Sequence, residues 1–225
     1  MKKNTIYSHS LMAENINPPR KEILRYMSCK KENENEAKLI DEFLPLVKKA
    51  AAPKGSFAFY ELVKDDNSVY INGEILKSSS LFKNLRLCDE ATIFSLTLGT
   101  EIDRLISKYS LARPSAALCV NAIATAMIEE YAKLFCEEMK DLFKKENLFL
   151  RPRFSPGYAD FDLKNQSLFI NLTNASKLCG ITLTDGFMMT PSKSVTAIMG
   201  ASQKDLLCSI SGCEMCSKKN CEFRR

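Results

Sequence analysis

Apolar positions fall into two kinds of pattern along the chain, and the alternation between them organises it. Ile23, Leu24 and Met27 follow Asn17-Pro18-Pro19, a proline-led helix start. The polar stretch from Lys30 to Glu36 reads as a loop or helix end. Leu39, Phe43, Leu46, Val47 and Ala50 then keep helical spacing, interrupted by Pro45, with Pro53-Lys54-Gly55 ending the helix. The pattern next changes period. Phe57 to Leu62 and Val69 to Ile71 read as strands, joined through Asp65-Asp66-Asn67 as a hairpin. Ser78 to Leu85 predicts a short helix. Ala91 to Leu98 is a continuous apolar run, read as a buried strand ending at Gly99. Thr100 with Asp103 forms a partial capping box for a helix carrying Ile102, Leu105 and Ile106 inward. Pro114-Ser115 opens the longest helix, from about Ala116 to Lys145. Its first half is rich in alanine, and its second half carries Ile128, Tyr131, Phe135, Met139 and Phe143. Asn165 to Thr173 reads as a helix, and Gly180 to Thr184 and Ser194 to Met199 read as strands. No internal repeat or low-complexity linker divides the chain. The expected class is α+β, with helices packed on a twisted antiparallel sheet.

Composition narrows the function. The 225 residues are 45% apolar and 26% charged, an ordinary globular balance with room for a substantial core. The formal net charge of +5 comes from scattered lysines and arginines, so the pattern is a solvated surface and not a nucleic-acid footprint. No apolar run has the length of a membrane span or a signal peptide, which implies no membrane partner. A cytoplasmic chain with nine cysteines is expected to hold reduced thiols or a metal, not a disulfide framework. Its one histidine, His9, excludes histidine-rich zinc catalysis and a Ser-His-Asp triad.

Two features carry candidate chemistry. The first is the stretch Arg151 to Gly200. It holds Arg153-Phe154-Ser155-Pro156-Gly157-Tyr158, and later Leu183-Thr184, Met189, Pro191 and Ser194-Val195. Gly157 permits close approach of a ligand to the main chain, Arg153 can grip a carboxylate, and Tyr158 offers an aromatic face. Read by itself, the segment is better taken as a turn entering a strand, with its arginines on the surface. The second feature is the run Cys208, Cys213, Cys216 and Cys221, spaced C-x4-C-x2-C-x4-C. Four thiolates so spaced suit zinc or an iron–sulfur cluster, and the spacing does not choose between them. The cysteines at 29, 88, 119, 136 and 179 read as small buried hydrophobes. The expected division is a main domain over residues 1–207 and a Cys-rich tail over 208–225.

Arg-x-x-Pro-Gly-Tyr resembles the Arg-Pro-Ala-Pro-Gly-Tyr signature of the activation domain of cobalamin-dependent methionine synthase. The Leu-Thr-x-x-x-x-Met-x-Pro-x-x-Ser-Val stretch resembles that domain's second segment, in the same order and at a similar separation. The resemblance covers about the last third of the chain. It implies an α+β fold and binding of S-adenosylmethionine, whose methyl group is presented to oxidised cobalamin during reductive reactivation. It implies roles for Arg153 (the methionine carboxylate), Ser155 and Gly157 (backbone bonds) and Tyr158 (the adenosine or methionine part). A glutamate on a comparable alanine-rich helix maps to Glu129, with Glu130 as the alternative. Met199 stands where the family has a ligand-touching tyrosine, and Ser155 where it often has alanine. The chain has no Asp-x-His-x-x-Gly motif, so cobalamin is expected on a partner methionine synthase core protein. The chain would then be a stand-alone activation subunit, served by an electron donor such as flavodoxin or ferredoxin. The cysteine tail is outside the resemblance. Were it to hold an iron–sulfur cluster, it would supply an electron as well. Two other classes stay open: a metal-binding redox or interaction module built on the tail, and a self-contained methyltransferase. The latter lacks the glycine-rich strand-to-helix loop of Rossmann enzymes.

Overall fold

The computed structural model describes residues 2–29, 32–65 and 68–204. From the N-terminus the elements are β1 (Ile6–Ser10), α1 (Arg20–Tyr26), α2 (Glu34–Ala50), β2 (Lys54–Asp65), β3 (Ser68–Ile71), β4 (Glu74–Lys77), α3 (Ser79–Leu85), β5 (Glu90–Thr97), α4 (Glu101–Ala112), α5 (Pro114–Lys144), β6 (Phe149–Leu150), α6 (Asn165–Thr173), α7 (Ala175–Cys179), β7 (Thr182–Leu183), β8 (Met189–Thr190) and β9 (Ser194–Ser202). The main sheet runs β4-β3-β2-β5-β9-β6, with β1 added beside the first half of β2. Every pairing in it is antiparallel, and β7 and β8 form a separate ribbon. The fold is α+β, as the periodicity predicts.

Alternate residues of a strand point to opposite faces. Phe57, Phe59, Phe94, Leu96, Ala197 and Met199 therefore share one face, packed with apolar residues of α1, α2, α4 and α5. Ala58, Tyr60, Ile93 and Ile198 share the other, packed with α3, α6 and the loop holding Phe154 and Phe161. A sheet covered on both faces needs apolar side chains at successive positions, which explains the unbroken run from Ala91 to Leu98. The alanines of α5 serve helix packing: Ala116, Ala122, Ala124 and Ala126 are buried, and α1, α2 and α4 all lie against this helix.

Several local readings change. Asn33 caps α2 by accepting from the amides of Asn35 and Glu36, while the Glu36 carboxylate accepts from the Asn33 amide. The helix thus begins within the polar stretch. It continues through Pro45 to Ala50, and Lys54 and Gly55 already belong to β2. The hairpin of β2 with β3 is present, but β3 turns again at Asn72-Gly73 (φ 51° and 81°) into β4. Positive φ at both central residues is what an Asn-Gly hairpin turn requires. Thr100 precedes α4 without a side-chain cap, since its own backbone is helical (φ -74°, ψ -23°), and the Asp103 carboxylate is turned towards Ser192. The strand read over 180–184 shortens to the two residues of β7. Cys88, Cys119 and Cys179 are buried as expected, whereas Cys29 and Cys136 are half-buried.

Candidate functional site

The chain leaves α5 and zips back along β9. Phe149 and Leu150 pair with Ser202 and Ala201, and the Arg151 amide donates to the Gly200 carbonyl at 2.8 Å. Phe154 and Ile198 then exchange both backbone hydrogen bonds at 2.9 Å. Phe154 is packed into the α3–α6 layer with Ile198. By strand alternation its neighbour Arg153 turns to the α5 face, as does Met199 beside Ile198. The register of 149–154 on β9 is therefore what brings Arg153 and Met199 under the same helix.

That helix supplies the facing wall. Ala126, Glu129, Glu130, Lys133, Cys136, Glu137 and Lys140 recur at the three- and four-residue spacing of one helical face. With Arg151, Pro152, Arg153 and Met199 opposite, and Pro19 and Glu22 from α1, they enclose a groove of about 420 Å³. This lies in the size range of small-molecule sites, roughly 300–1,000 Å³. Met199 is buried and, with Ala126, is an apolar part of the lining. Arg153 Nη2 donates to Glu129 Oε2 at 2.5 Å across the groove. The lining carries four carboxylates (Glu22, Glu129, Glu130, Glu137) and four cations (Lys133, Lys140, Arg151, Arg153), so it is charged yet balanced. Glu130 pairs with Lys133 at 3.1 Å and Glu22 with Arg25 at 2.7 Å, each within its own helix. Burial pushes the Cys136 thiol up to about 11, against the opposing pull of the Arg153 and Lys140 charges.

Glu129, Arg153 and Met199 thus meet in one groove. Ser155, Gly157 and Tyr158 form the adjoining turn and do not line it. Gly157 has φ +85°, and its amide donates to the Phe161 carbonyl at 2.7 Å. The Tyr158 ring stands edge-on to Phe154, with centroids 5.3 Å apart. Asp160 anchors the turn from below. Its carboxylate accepts from the Ser78 hydroxyl at 2.7 Å, the Ser79 amide at 2.7 Å and hydroxyl at 2.8 Å, and the Ser80 amide at 3.1 Å. Pro19 and Glu22 had no signal in the sequence as groove residues, because they lie more than a hundred residues from Glu129 along the chain. Lys133, Glu137 and Lys140 could have been found by extending the helical face from Glu129.

His9 is engaged away from this groove. Its Nδ1 lies 2.9 Å from the Tyr131 hydroxyl and its Nε2 lies 2.9 Å from Glu138 Oε2, which ties β1 to α5. Among the described residues, no group of three or more His, Cys, Asp or Glu side chains is placed to hold a metal ion. Cys208, Cys213, Cys216 and Cys221 lie outside the described residues. No helix among the described residues is long and apolar enough to cross a membrane.

A sequence model of the family described as vitamin B12-dependent methionine synthase, activation domain, matches residues 82–214. That is more than half of the chain, and the chain belongs to this family. No curated protein matches the sequence. Among solved structures, the chain is similar to the crystal structure of the MetH reactivation domain bound to AdoHcy. The TM-score is 0.67 at 15% identity, over 90% of this chain and 80% of that one. At this identity the likeness shows a shared fold. Covering 90% of the chain, it reaches beyond the matched residues 82–214 into the part N-terminal to them.

Proposed function

We propose that the chain binds S-adenosylmethionine in the α5–β9 groove and presents its methyl group to cobalamin held by a partner methionine synthase module. The observation that carries this reading is the meeting of Glu129, Arg153 and Met199 in one groove of a chain of the activation-domain family. The relative solved with AdoHcy supports it. The lining also suits the ligand's chemistry. S-adenosylmethionine brings a carboxylate, an ammonium and a sulfonium, and the groove offers cationic and carboxylate side chains in equal number beside an apolar surface.

In this reading Arg153 holds the methionine carboxylate and Glu129 attracts the ammonium or sulfonium charge. Met199 gives apolar contact where a tyrosine would add a hydroxyl. Ser155, Gly157 and Tyr158 form the rim, where main-chain groups and the Tyr158 ring meet the adenosine side. The bound ligand supplies an electrophilic methyl group, and the protein's part is to fix its position. The partner is the cobalamin-binding core of methionine synthase, and the electron comes from a flavodoxin- or ferredoxin-type donor in the cytoplasm. The Cys208–Cys221 tail, taken as a unit separate from residues 1–207, would hold zinc or an iron–sulfur cluster. Iron analysis and an absorption spectrum after anaerobic purification distinguish the two.

Calorimetric titration with S-adenosylmethionine tests the main reading. Saturable binding that Arg153→Ala weakens by about tenfold or more is expected. No binding, with or without a cobalamin-loaded partner, removes it.

A further inference from the structure

We infer that the uncovered face of β2, β3 and β4 is a contact between two copies of this chain. Along β2, Phe57 and Phe59 face the helices and are buried. By strand alternation Glu61, Val63 and Asp65 lie on the same side. The helix cover ends at Phe59, whose ring meets Phe143 near the end of α5. Glu61, Val63 and Asp65 are all exposed. The register carries this open side across two more strands. Val63 stands opposite Tyr70, and Tyr70 opposite Ile75. Asp65 stands opposite Ser68, and Ser68 opposite Lys77. Val63 keeps 63% of its surface exposed and Ile75 38%.

The other side of these strands is already used. Leu62, Val69, Ile71 and Leu76 are buried in the layer that holds α3 and α6. An antiparallel sheet with one solvated side is expected to carry polar residues outward. Here the central outward row, Val63–Tyr70–Ile75, is apolar, and the rows on either side of it are polar. That is the layout of an interface core with its rim.

The charges say which partner fits. Asp65 and Lys77 end one row on opposite strands, two strand spacings or about 10 Å apart, too far to pair with each other. Among the described residues neither has an ion-pair partner. A two-fold axis along β3 lays β2 of one copy over β4 of the other, in the aligned manner of packed sheets. Asp65 then faces the partner's Lys77, and Lys77 faces the partner's Asp65. Val63 faces the partner's Ile75, and the two Tyr70 rings meet on the axis. One sequence thus supplies both an apolar match and two opposite-charge pairs. The third row adds little, because Glu61 is held by Lys3 at 2.7 Å and borders, with Asn72 and Gly73, a hollow of about 370 Å³. The face measures roughly 10 Å across the strands and 14 Å along them, below a standard interface, so the dimer forms in the micromolar range. The α5–β9 groove lies at the other end of the sheet, and the inference does not rest on its ligand.

The test is sedimentation of the full chain, with reductant present, at about 1 µM and about 200 µM, concentrations that bracket a micromolar dimer. Wild type should pass from monomer to mostly dimer. Asp65→Lys alone and Lys77→Asp alone each replace two attractions by two repulsions, and should weaken the dimer by about tenfold or more. Mixed in equal amounts, the two variants regain both attractions and should dimerise like wild type. Recovery on mixing also shows that neither variant is misfolded. Wild type that stays monomeric at the higher concentration overturns the inference. Single variants that dimerise like wild type place the contact on another surface. A mixture that stays monomeric excludes this pairing and leaves the face to some other occupant.

Discussion

Asp103, in the first turn of α4, accepts two hydrogen bonds from Ser192, one from its amide at 2.9 Å and one from its hydroxyl. The next residue is fastened as well. The Lys193 carbonyl accepts from the Leu98 amide at 2.9 Å, and its Nζ donates to Asn121 Oδ1 at 2.7 Å. Burial holds the Lys193 ammonium below the usual lysine range, with Asp103 pulling the other way. These contacts fix the start of β9, the strand that carries Met199 into the groove. Asp103→Ala removes an acceptor for both Ser192 donors, and should lower stability by about 1–2 kcal/mol. Chemical denaturation measures it. Amide hydrogen exchange should quicken at Ser192, and unchanged exchange there would show that the contact does not hold the strand.

Asp160 fixes the turn that adjoins the groove, and its effect depends on pH. Burial alone would raise its pKa. The hydrogen bonds from Ser80, Ser78 and Ser79 outweigh that and hold the carboxyl well below the usual aspartate range. A depressed folded-state pKa means the contribution is fully present above the unfolded value, about 4, and fades as pH falls through the lower folded value. Asp160 is exposed, so solvent screening keeps the contribution to about 1 kcal/mol. Asp160→Asn should therefore melt below wild type at neutral pH, and the two melting curves should converge below about pH 4. A gap of constant size down to pH 2 would contradict this.

How much of this was legible in the sequence depended on whether the signal was local. The run Ala91 to Leu98, the proline-led start of α5 and the short helix from Ser78 to Leu85 each report their own element, and each matches the structure. The Asn72-Gly73 turn was also local, and its two positive φ angles show that it could have been read. What stayed hidden depends on distant partners. Ile6 to Ser10 is short and ends in three consecutive polar residues, Ser8, His9 and Ser10, and becomes β1 only because β2 offers it an edge. Asp103 looked like a capping residue because nothing in the sequence places Ser192 beside it. In the groove, Arg153 and Glu129 were each visible as candidates, but their ion pair follows from the pairing of Phe154 with Ile198. Pro19 and Glu22 of α1 join the groove through packing of α1 on α5, which has no sequence signature.

Gly200 is needed for close packing, not for an unusual backbone angle. A Cβ there would lie 2.5 Å from Leu85 Cδ2, 2.6 Å from Cys88 Sγ and 2.9 Å from Cys88 Cβ. The end of α3 thus presses directly on the β9 main chain. Gly200→Ala should cost about 1–3 kcal/mol through overpacking. Because residue 200 faces α3 while residue 199 faces the groove, AdoHcy affinity should change much less than stability. A variant that melts like wild type would mean that α3 withdraws without cost. One that loses binding in step with stability would mean that the two faces of β9 are coupled.

Cys136 should report on the occupancy of the groove. It lines the wall beside Arg153, and burial pushes its thiol up to about 11. For a thiol, a raised pKa means the neutral form is stabilised in the folded chain. That contribution is present below the unfolded value of about 8.5 and is lost as pH rises towards 11. At pH 8 the thiolate is then only about 0.1% of Cys136, against roughly a quarter of an unperturbed cysteine, so its alkylation by iodoacetamide should be slower by about a hundredfold or more. The rate should climb about tenfold per pH unit between pH 8 and 10. Peptide mapping by mass spectrometry separates Cys136 from the other cysteines. Saturating AdoHcy should slow alkylation of Cys136 further and leave Cys119, on the buried side of the same helix, unaffected. Equal alkylation of Cys136 with and without bound AdoHcy would place the ligand elsewhere than against this wall of α5.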